Sequence, residues 1–370
     1  MLTVVLKGTD SCNLRCRYCS VGKKENSITM SAQCLCDSLS FVGKYCEYIG
    51  ETKLSVILHG GEPTLIAVDK YEGAFRKFIH DYPSITLEIS MQTNGYYISN
   101  TMLDFIKRWG ISVGFSIDGI EKIHNMNRKD LEGKGTYKDV MDNIIVLKNN
   151  GIDVSVLIVV TKDIVNAGFD YLSVFEELDV SVKINPVLSV GEACENKDLI
   201  ISRGDYARYI IKIYEYLIST DSTLSVSPID EFLNSVLYDI PMLSCIFHRD
   251  CIQNYLSISS DGSLYPCGRF ADIKKYCLGT IYDEPQVIAS NPVKIQLSKR
   301  RELVDRHCKN CNYLYKCNAG CCFEAEVNNG KYSFFCDDYK ILFDYFETEG
   351  LKLLRNYLVK IRNKIIQDNC

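Results

Sequence analysis

Three thiols stand close together near the start of the chain, Cys12, Cys16 and Cys19, in the run CNLRCRYC. They follow a short apolar stretch, LTVVLKG (2–8), which places them on one tight loop at a strand end. Thiolates are the usual ligands of 4Fe–4S clusters, and three of them hold three irons. The fourth iron then has no protein ligand and can bind a substrate, whereas a four-cysteine cluster is usually restricted to electron transfer. Ligand type favours this open cluster, and the aromatic Tyr18 before the last Cys favours it further. A zinc site completed by a distant Cys or His is the alternative.

A second array occupies 245–336: Cys245, Cys251, Cys267, Cys308, Cys311, Cys317, Cys321 and Cys336. Eight thiolates suit two fully ligated 4Fe–4S clusters, although the C-x2-C spacing fits a pair of zinc ribbons equally well. Beside an open cluster the iron–sulfur reading is preferred, because auxiliary clusters move electrons or shape a substrate pocket. The segment SISSDGSLYPC reads as a hairpin turning at Asp261-Gly262, which would return Cys267 beside Cys251. The other cysteines are Cys34, Cys36, Cys46, Cys194, Cys277, Cys322 and Cys370. Most read as buried small hydrophobes, with Cys322 the candidate for a hydrogen-atom donor such as an epimerase needs.

These side chains need a scaffold, and the first half supplies an alternating one. Strands are expected at 2–8, 54–60, 86–92, 111–117, 153–160 and 180–187, with helices over 31–49, 68–80, 98–109, 136–150 and 164–178. The strand runs are apolar on both parities, which implies cover on both faces. The fold class is therefore α/β, a partial (β/α)6 TIM-like barrel with a parallel sheet. In such folds the active site lies at the C-terminal strand ends. The cysteine loop, HGGEPT (59–64), QTNG (92–95), SIDG (116–119), Thr161 and Asn185 all fall there. A helix over 204–219 leads to the second array, and a helical tail with a basic surface covers 338–366.

Bulk properties exclude several classes. The chain has 370 residues, 46% hydrophobic and 24% charged, with a net charge of −5. That balance gives no general attraction to nucleic acid or an anionic membrane. No apolar run of membrane-spanning length and no signal peptide is present, so a cytoplasmic location is expected. Eighteen cysteines without a secretion signal point to metal ligation rather than a disulfide scaffold, and to an anaerobic host.

CNLRCRYC with GGEPT, QTNG and SIDG resembles the radical S-adenosylmethionine (SAM) superfamily, and the 245–336 array resembles its SPASM domain with one additional upstream ligand. HNMNRKD (124–130) is similar to anaerobic sulfatase-maturating enzymes, which oxidise Cys or Ser to formylglycine. The resemblance divides the chain into a partial barrel (1–200), a helical connection (201–240), a SPASM domain (241–340) and a C-terminal helix (341–370). It implies three 4Fe–4S clusters, SAM on the open iron, and a deoxyadenosyl radical that removes hydrogen from a peptide or protein side chain. It also implies a reducing partner such as flavodoxin or ferredoxin.

By the same resemblance, Gly60 and Gly61 let backbone approach the SAM amino group, Glu62 bonds that amine, and cis or turn geometry at Pro63 holds the edge. Ser116 bonds the ribose or carboxylate, Arg128 pairs with the carboxylate, and Asp118 orders its strand end or caps a helix. Gln92, Thr93 and Asn94 line the pocket floor, with Tyr18 nearby, while His59 and His124 read as packing or hydrogen-bonding residues. The cluster nearer the active site takes Cys245, Cys251, Cys267 and Cys321, and the distant one Cys308, Cys311, Cys317 and Cys336; spacing alone does not establish this pairing.

The pattern breaks at YPCGRF. Sulfatase-maturating enzymes carry an acidic substrate base directly after Y-P-C, where this chain has Gly268 and then Arg269. Glycine cannot take a proton, so another ribosomal-peptide modification, such as an oxidative crosslink, is preferred over formylglycine formation. The chain opens at the first strand, so a precursor's leader is expected to need a separate binding protein or the barrel and helical tail. A non-enzymatic iron–sulfur electron carrier is the alternative from another class; it would need no SAM pocket.

Overall fold

The computed structural model describes residues 1–22, 27–302, 304, 306–330 and 332–368; Cys370 lies outside the described residues. The strands are β1 (Leu2–Thr9), β2 (Leu14–Cys16), β3 (Lys53–Gly60), β4 (Thr86–Thr93), β5 (Ser112–Ser116), β6 (Arg128–Asp130), β7 (Val154–Val160), β8 (Ser181–Pro186), β9 (Val226–Ser227), β10 (Tyr255–Ile258), β11 (Ser263–Tyr265) and β12 (Gly279–Thr280). Helices α1 (Ala32–Ile49), α2 (Val68–Asp81), α3 (Asn100–Trp109), α4 (Glu121–Asn127) and α5 (Tyr137–Asn149) fall between the first-half strands. The α/β class is as expected, and β1, β3, β4, β5, β7 and β8 are the six anticipated strands. The helix expected over 164–178 is two, Lys162–Val165 and Tyr171–Glu177, separated by a stretch containing Asn166 and Gly168, both poor helix formers.

The chain forms two compact units. One comprises Met1–Ile158, Val187–Ile200 and Asp250–Arg300, the other Val159–Pro186, Ile201–Arg249 and Arg301–Cys370. In the first unit the strand order is β12-β11-β10-β1-β3-β4-β5-β7. Neighbours from β10 to β7 run parallel, with β10 aligned to β1 from Thr3↔Tyr255 to Leu6↔Ile258. The anticipated hairpin is β10–β11, turning through Asp261 and Gly262, and Gly262 takes the left-handed φ of 84° that a turn there needs.

The expected cover on both faces holds for β1, whereas burial alternates along β3 and β7, which corrects it there. One face packs on helices: Gly8 of β1 lies against Leu35, Ile66 and Tyr71. The second face is half-exposed and carries Ser55, His59, Ser90, Gln92 and Ser116. Their polar groups would be costly to desolvate beneath another apolar layer.

The second unit contains the parallel pair β8–β9, helices Asp205–Ser219 and Ile229–Tyr238, and the anticipated tail. That tail is Cys336–Tyr345, a π-helical turn at Phe346–Gly350, and Leu351–Asp368. Its core is aromatic: Phe232 stacks on Phe346 at 5.4 Å, and Phe247 meets Tyr339 edge-on at 4.7 Å. Asp338 Oδ1 accepts the Ala207 backbone N–H at 3.0 Å, tying the tail to helix Asp205–Ser219. Among the described residues no helix is long and apolar enough to cross a membrane.

Candidate active site

The cysteine loop leaves β1 and immediately forms β2, which pairs antiparallel with β6 and sets Cys16 opposite Arg128. Nothing in the periodicity of LRC or RKD announces these three-residue strands. The loop is clasped a second time by 191–198. Glu192 N donates to Cys19 O at 2.9 Å, Asn196 Nδ2 to Arg17 O at 2.9 Å, and Arg17 pairs with Asp198 at 2.6 Å. Gly191 is obligatory there, because its φ is 56° and a Cβ would stand 2.3 Å from Cys19 O. Sequence reasoning missed this clasp, since no motif links the two segments.

Arg128 lies in a buried network. Its Nε is 3.3 Å from Asp118 Oδ2, its guanidinium sits 5.1 Å above the Tyr18 ring, and Tyr18 OH donates to Asp118. Burial alone would lower the Arg128 pKa, but Asp118, Tyr18 and Cys16 together, Asp118 foremost, more than offset it and hold the group above its usual range. Burial likewise raises the Tyr18 hydroxyl. Asp118 does not cap a helix: α4 begins after Ile120 and has no side-chain cap. It orders the strand end instead. Its backbone N–H donates to His124 Nδ1 at 3.3 Å, and His124 Nε2 meets Thr136 Oγ1 at 3.1 Å. Burial, then the Arg128 charge, lowers His124 to about 3, so it is a neutral structural residue, as its packing reading anticipated.

Glu62 is fully buried and takes four hydrogen bonds. Its Oε1 accepts from Thr64 N, Thr64 Oγ1 and Thr93 Oγ1, and its Oε2 accepts from Asn94 N. Burial raises its pKa, and these donors act in the opposite direction. The carboxylate thereby braces the ends of β3 and β4. Pro63 opens a 3-10 turn, Pro63–Leu65, capped by Glu62, which is the turn alternative for that edge. At Gly60 and Gly61 the close neighbour is the cysteine loop itself. A Cβ would stand 2.4 Å from Thr9 O at Gly60 and 2.2 Å from Ser11 O at Gly61, and Gly61 N and Glu62 N bond those same carbonyls.

Asn94 Nδ2 donates to Asn13 Oδ1 at 2.8 Å and to Cys12 Sγ at 3.6 Å. Gln92 Nε2 donates to Ser116 Oγ at 3.0 Å on the half-exposed face. Burial raises the Cys12 thiol to about 11 and the Cys16 thiol to about 12; Arg128 is the main opposing influence at Cys16. Three thiols, an amide and a guanidinium thus share one strand-end region.

In the second unit, Cys308, Cys311, Cys317 and Cys336 line one cavity with Tyr313, Tyr332, Tyr339, Phe343, His307 and Lys340. Burial is the main cause raising the Cys317 and Cys336 thiols, the latter to about 11. Among the described residues no group of three or more His, Cys, Asp or Glu suits a single metal ion. Cys251 and Cys267 belong to the first unit, Cys245 and Cys321 to the second.

Residues 6–167 match the Radical SAM superfamily, so the chain carries a radical SAM domain. It is 28% identical over 358 residues to the cysteine-type anaerobic sulfatase-maturating enzyme of Clostridium novyi (strain NT), covering 93% of this chain and 94% of that one. Among solved structures, native anSMEcpe with bound AdoMet and Kp18Cys peptide superimposes with a TM-score of 0.83 at 24% identity, covering 96% of this chain and 99% of that one. Streptococcus suis SuiB bound to precursor peptide SuiA gives 0.66 at 14% identity, over 91% and 75%. These structural likenesses show the fold.

Proposed function

We propose that this chain, with its radical SAM domain at 6–167, is a cytoplasmic enzyme that cleaves SAM reductively and modifies a side chain of a peptide or protein. The observation that carries the reading is the Cys12–Cys19 loop, locked by β2–β6 pairing with Arg128 opposite Cys16 inside that domain. When bound there, a 4Fe–4S cluster supplies the electron and SAM the deoxyadenosyl radical.

The chain's own residues bind and orient. Cys12, Cys16 and Cys19 hold the first cluster. Arg128 would pair with the SAM carboxylate, and Asp118 and Tyr18 fix the orientation of its guanidinium. Gln92, Asn94 and Ser116 offer polar atoms toward SAM, and Gly60, Gly61 and Glu62 keep the neighbouring edge close to the loop. Four cysteines around one cavity fit an auxiliary cluster at Cys308, Cys311, Cys317 and Cys336. Functionally, 1–200 is the radical domain, 201–240 a connection, 241–340 the auxiliary-cluster region and 341–370 a helical tail. A flavodoxin or ferredoxin supplies electrons.

A ribosomal-peptide crosslink or related oxidation is the leading product. Similarity across 93% of this chain to a sulfatase-maturating enzyme supports formylglycine as the second reading. Mass spectrometry of a Cys peptide incubated anaerobically with reductant and SAM separates them: thiol loss with a new carbonyl marks formylglycine, and loss of hydrogen alone marks a crosslink. Absence of deoxyadenosine would overturn both.

A further inference from the structure

Gly268 stands against Val5 of β1, where its Cβ would lie 3.2 Å from Val5 Cγ1; Val5 is partly buried, and its same-face neighbours Thr3 and Lys7 are buried. Residues i and i+2 of a strand share a face, so Lys7 follows Val5 about 7 Å nearer the cysteine loop. Lys7 is almost sealed, its side chain 5% exposed, and its ammonium pairs with Asp272, from the loop after β11 that also holds Gly268. Such a buried cation needs an anionic partner. Asp272 is 23% exposed and therefore reachable from solvent. Ser259 Oγ donates to its Oδ1 at 2.7 Å. The lysine and the serine, both donors in these bonds, leave Asp272 the acceptor of the group.

His59 completes the cluster, since it is the β3 residue in register with Lys7. Gly60 N donates to its Nδ1 at 2.7 Å, which puts the neutral ring's proton on Nε2. Burial and the Lys7 charge lower His59 to about 4, so near neutral pH it is a donor rather than a base. Two donors and one carboxylate therefore meet on the face that also carries Gln92 and Ser116.

We propose that Asp272, held by Lys7 and Ser259, is the base that takes the proton from the heteroatom of the peptide side chain being modified. The assignment rests on the peptide-modifying reading above. The substrate X–H bond breaks, X keeps the electron pair, and the proton passes to the Asp272 carboxylate. No electron moves in this step. Lys7 acts through Asp272 and is a positioning residue.

The test uses the full, cluster-loaded chain and an array of synthetic 18-residue peptides, each with a central Cys or Ser deuterated at its β-carbon. For a peptide that the unsubstituted protein modifies, Asp272→Asn is expected to lower product formed per deoxyadenosine by about 10²–10⁴-fold, with deuterium still reaching deoxyadenosine. Asp272→Glu should restore part of that ratio. The double substitution Lys7→Met/Asp272→Asn leaves no lone buried charge, and serves if the single variant fails to fold; the same loss is expected. An unchanged ratio in either variant overturns the assignment. Deoxyadenosine without any modified peptide from the unsubstituted protein overturns the peptide reading and this assignment with it, whereas no deoxyadenosine points to failure of the SAM reading.

Discussion

The two cysteine regions contain their thiols by different means. The loop of Cys12, Cys16 and Cys19 offers three, and beside them stands a buried ion pair, Arg128–Asp118, together with the Asn94 amide. The cavity of Cys308, Cys311, Cys317 and Cys336 offers four, walled by aromatic rings together with His307 and Lys340. A charged group beside an incomplete ligand set suits a charged, exchangeable molecule. A complete set needs no exchangeable molecule to finish it and suits a resident group. The contrast teaches that thiol number, rather than the presence of charge, sets the two regions apart, since a basic side chain stands beside both.

Four experiments can break or sharpen that contrast. The largest effect is expected from Cys16→Ala, which should abolish deoxyadenosine formation from SAM and reductant; turnover at the original rate would remove the loop from the chemistry. Cys317→Ala should lower iron content per chain by about four atoms and leave a lesser deficit in deoxyadenosine, read by metal analysis and chromatography. Full iron retention would show that the cavity holds no cluster. Arg128→Ala strands the buried Asp118 carboxylate and should cost about 3–5 kcal/mol in urea unfolding, as well as weakening SAM binding. A cost near zero would mean the pair contributes no structural support to the loop.

The smallest effect is a pH dependence. His124 has a folded pKa of about 3 against an ordinary 6.5, so its neutral form stabilises the fold above 6.5 and that contribution drains away as pH falls toward 3. At pH 4.5 the loss from this residue is about 2–3 kcal/mol. Chemical denaturation at pH 7 and 4.5 measures it, and His124→Gln should shrink the difference between the two. Equal differences in both proteins would show that this ring is not what makes the loop region acid-sensitive.

Much of this was readable beforehand, for identifiable reasons. The helix over 31–49 is bounded by Ser31, which caps Cys34 N, and Gly50, which takes a left-handed conformation, and both are local signals. The hairpin at Asp261-Gly262 was equally local. Beyond β1 the expectation of cover on both sheet faces failed because apolar residues such as Ile57 and Leu157 are interleaved with Ser55, His59 and Gln92, and pattern alone could not weigh them. Asp272 carried no signal at all, since its meaning depends on Lys7 lying beneath its loop.

By itself the sequence determined the thiol spacings, the alternation of strands with helices, and a glycine where an acid had been expected. Those are properties of neighbouring residues, set by backbone geometry over a few positions. Only the tertiary structure decided that Arg128 faces Cys16, that Glu62 braces two strand ends, that 191–198 clasps the loop, and that β10 lies beside β1. Each of these joins segments distant in the chain through register and burial, and a three-residue strand such as β2 or β6 has too short a period to announce its partner.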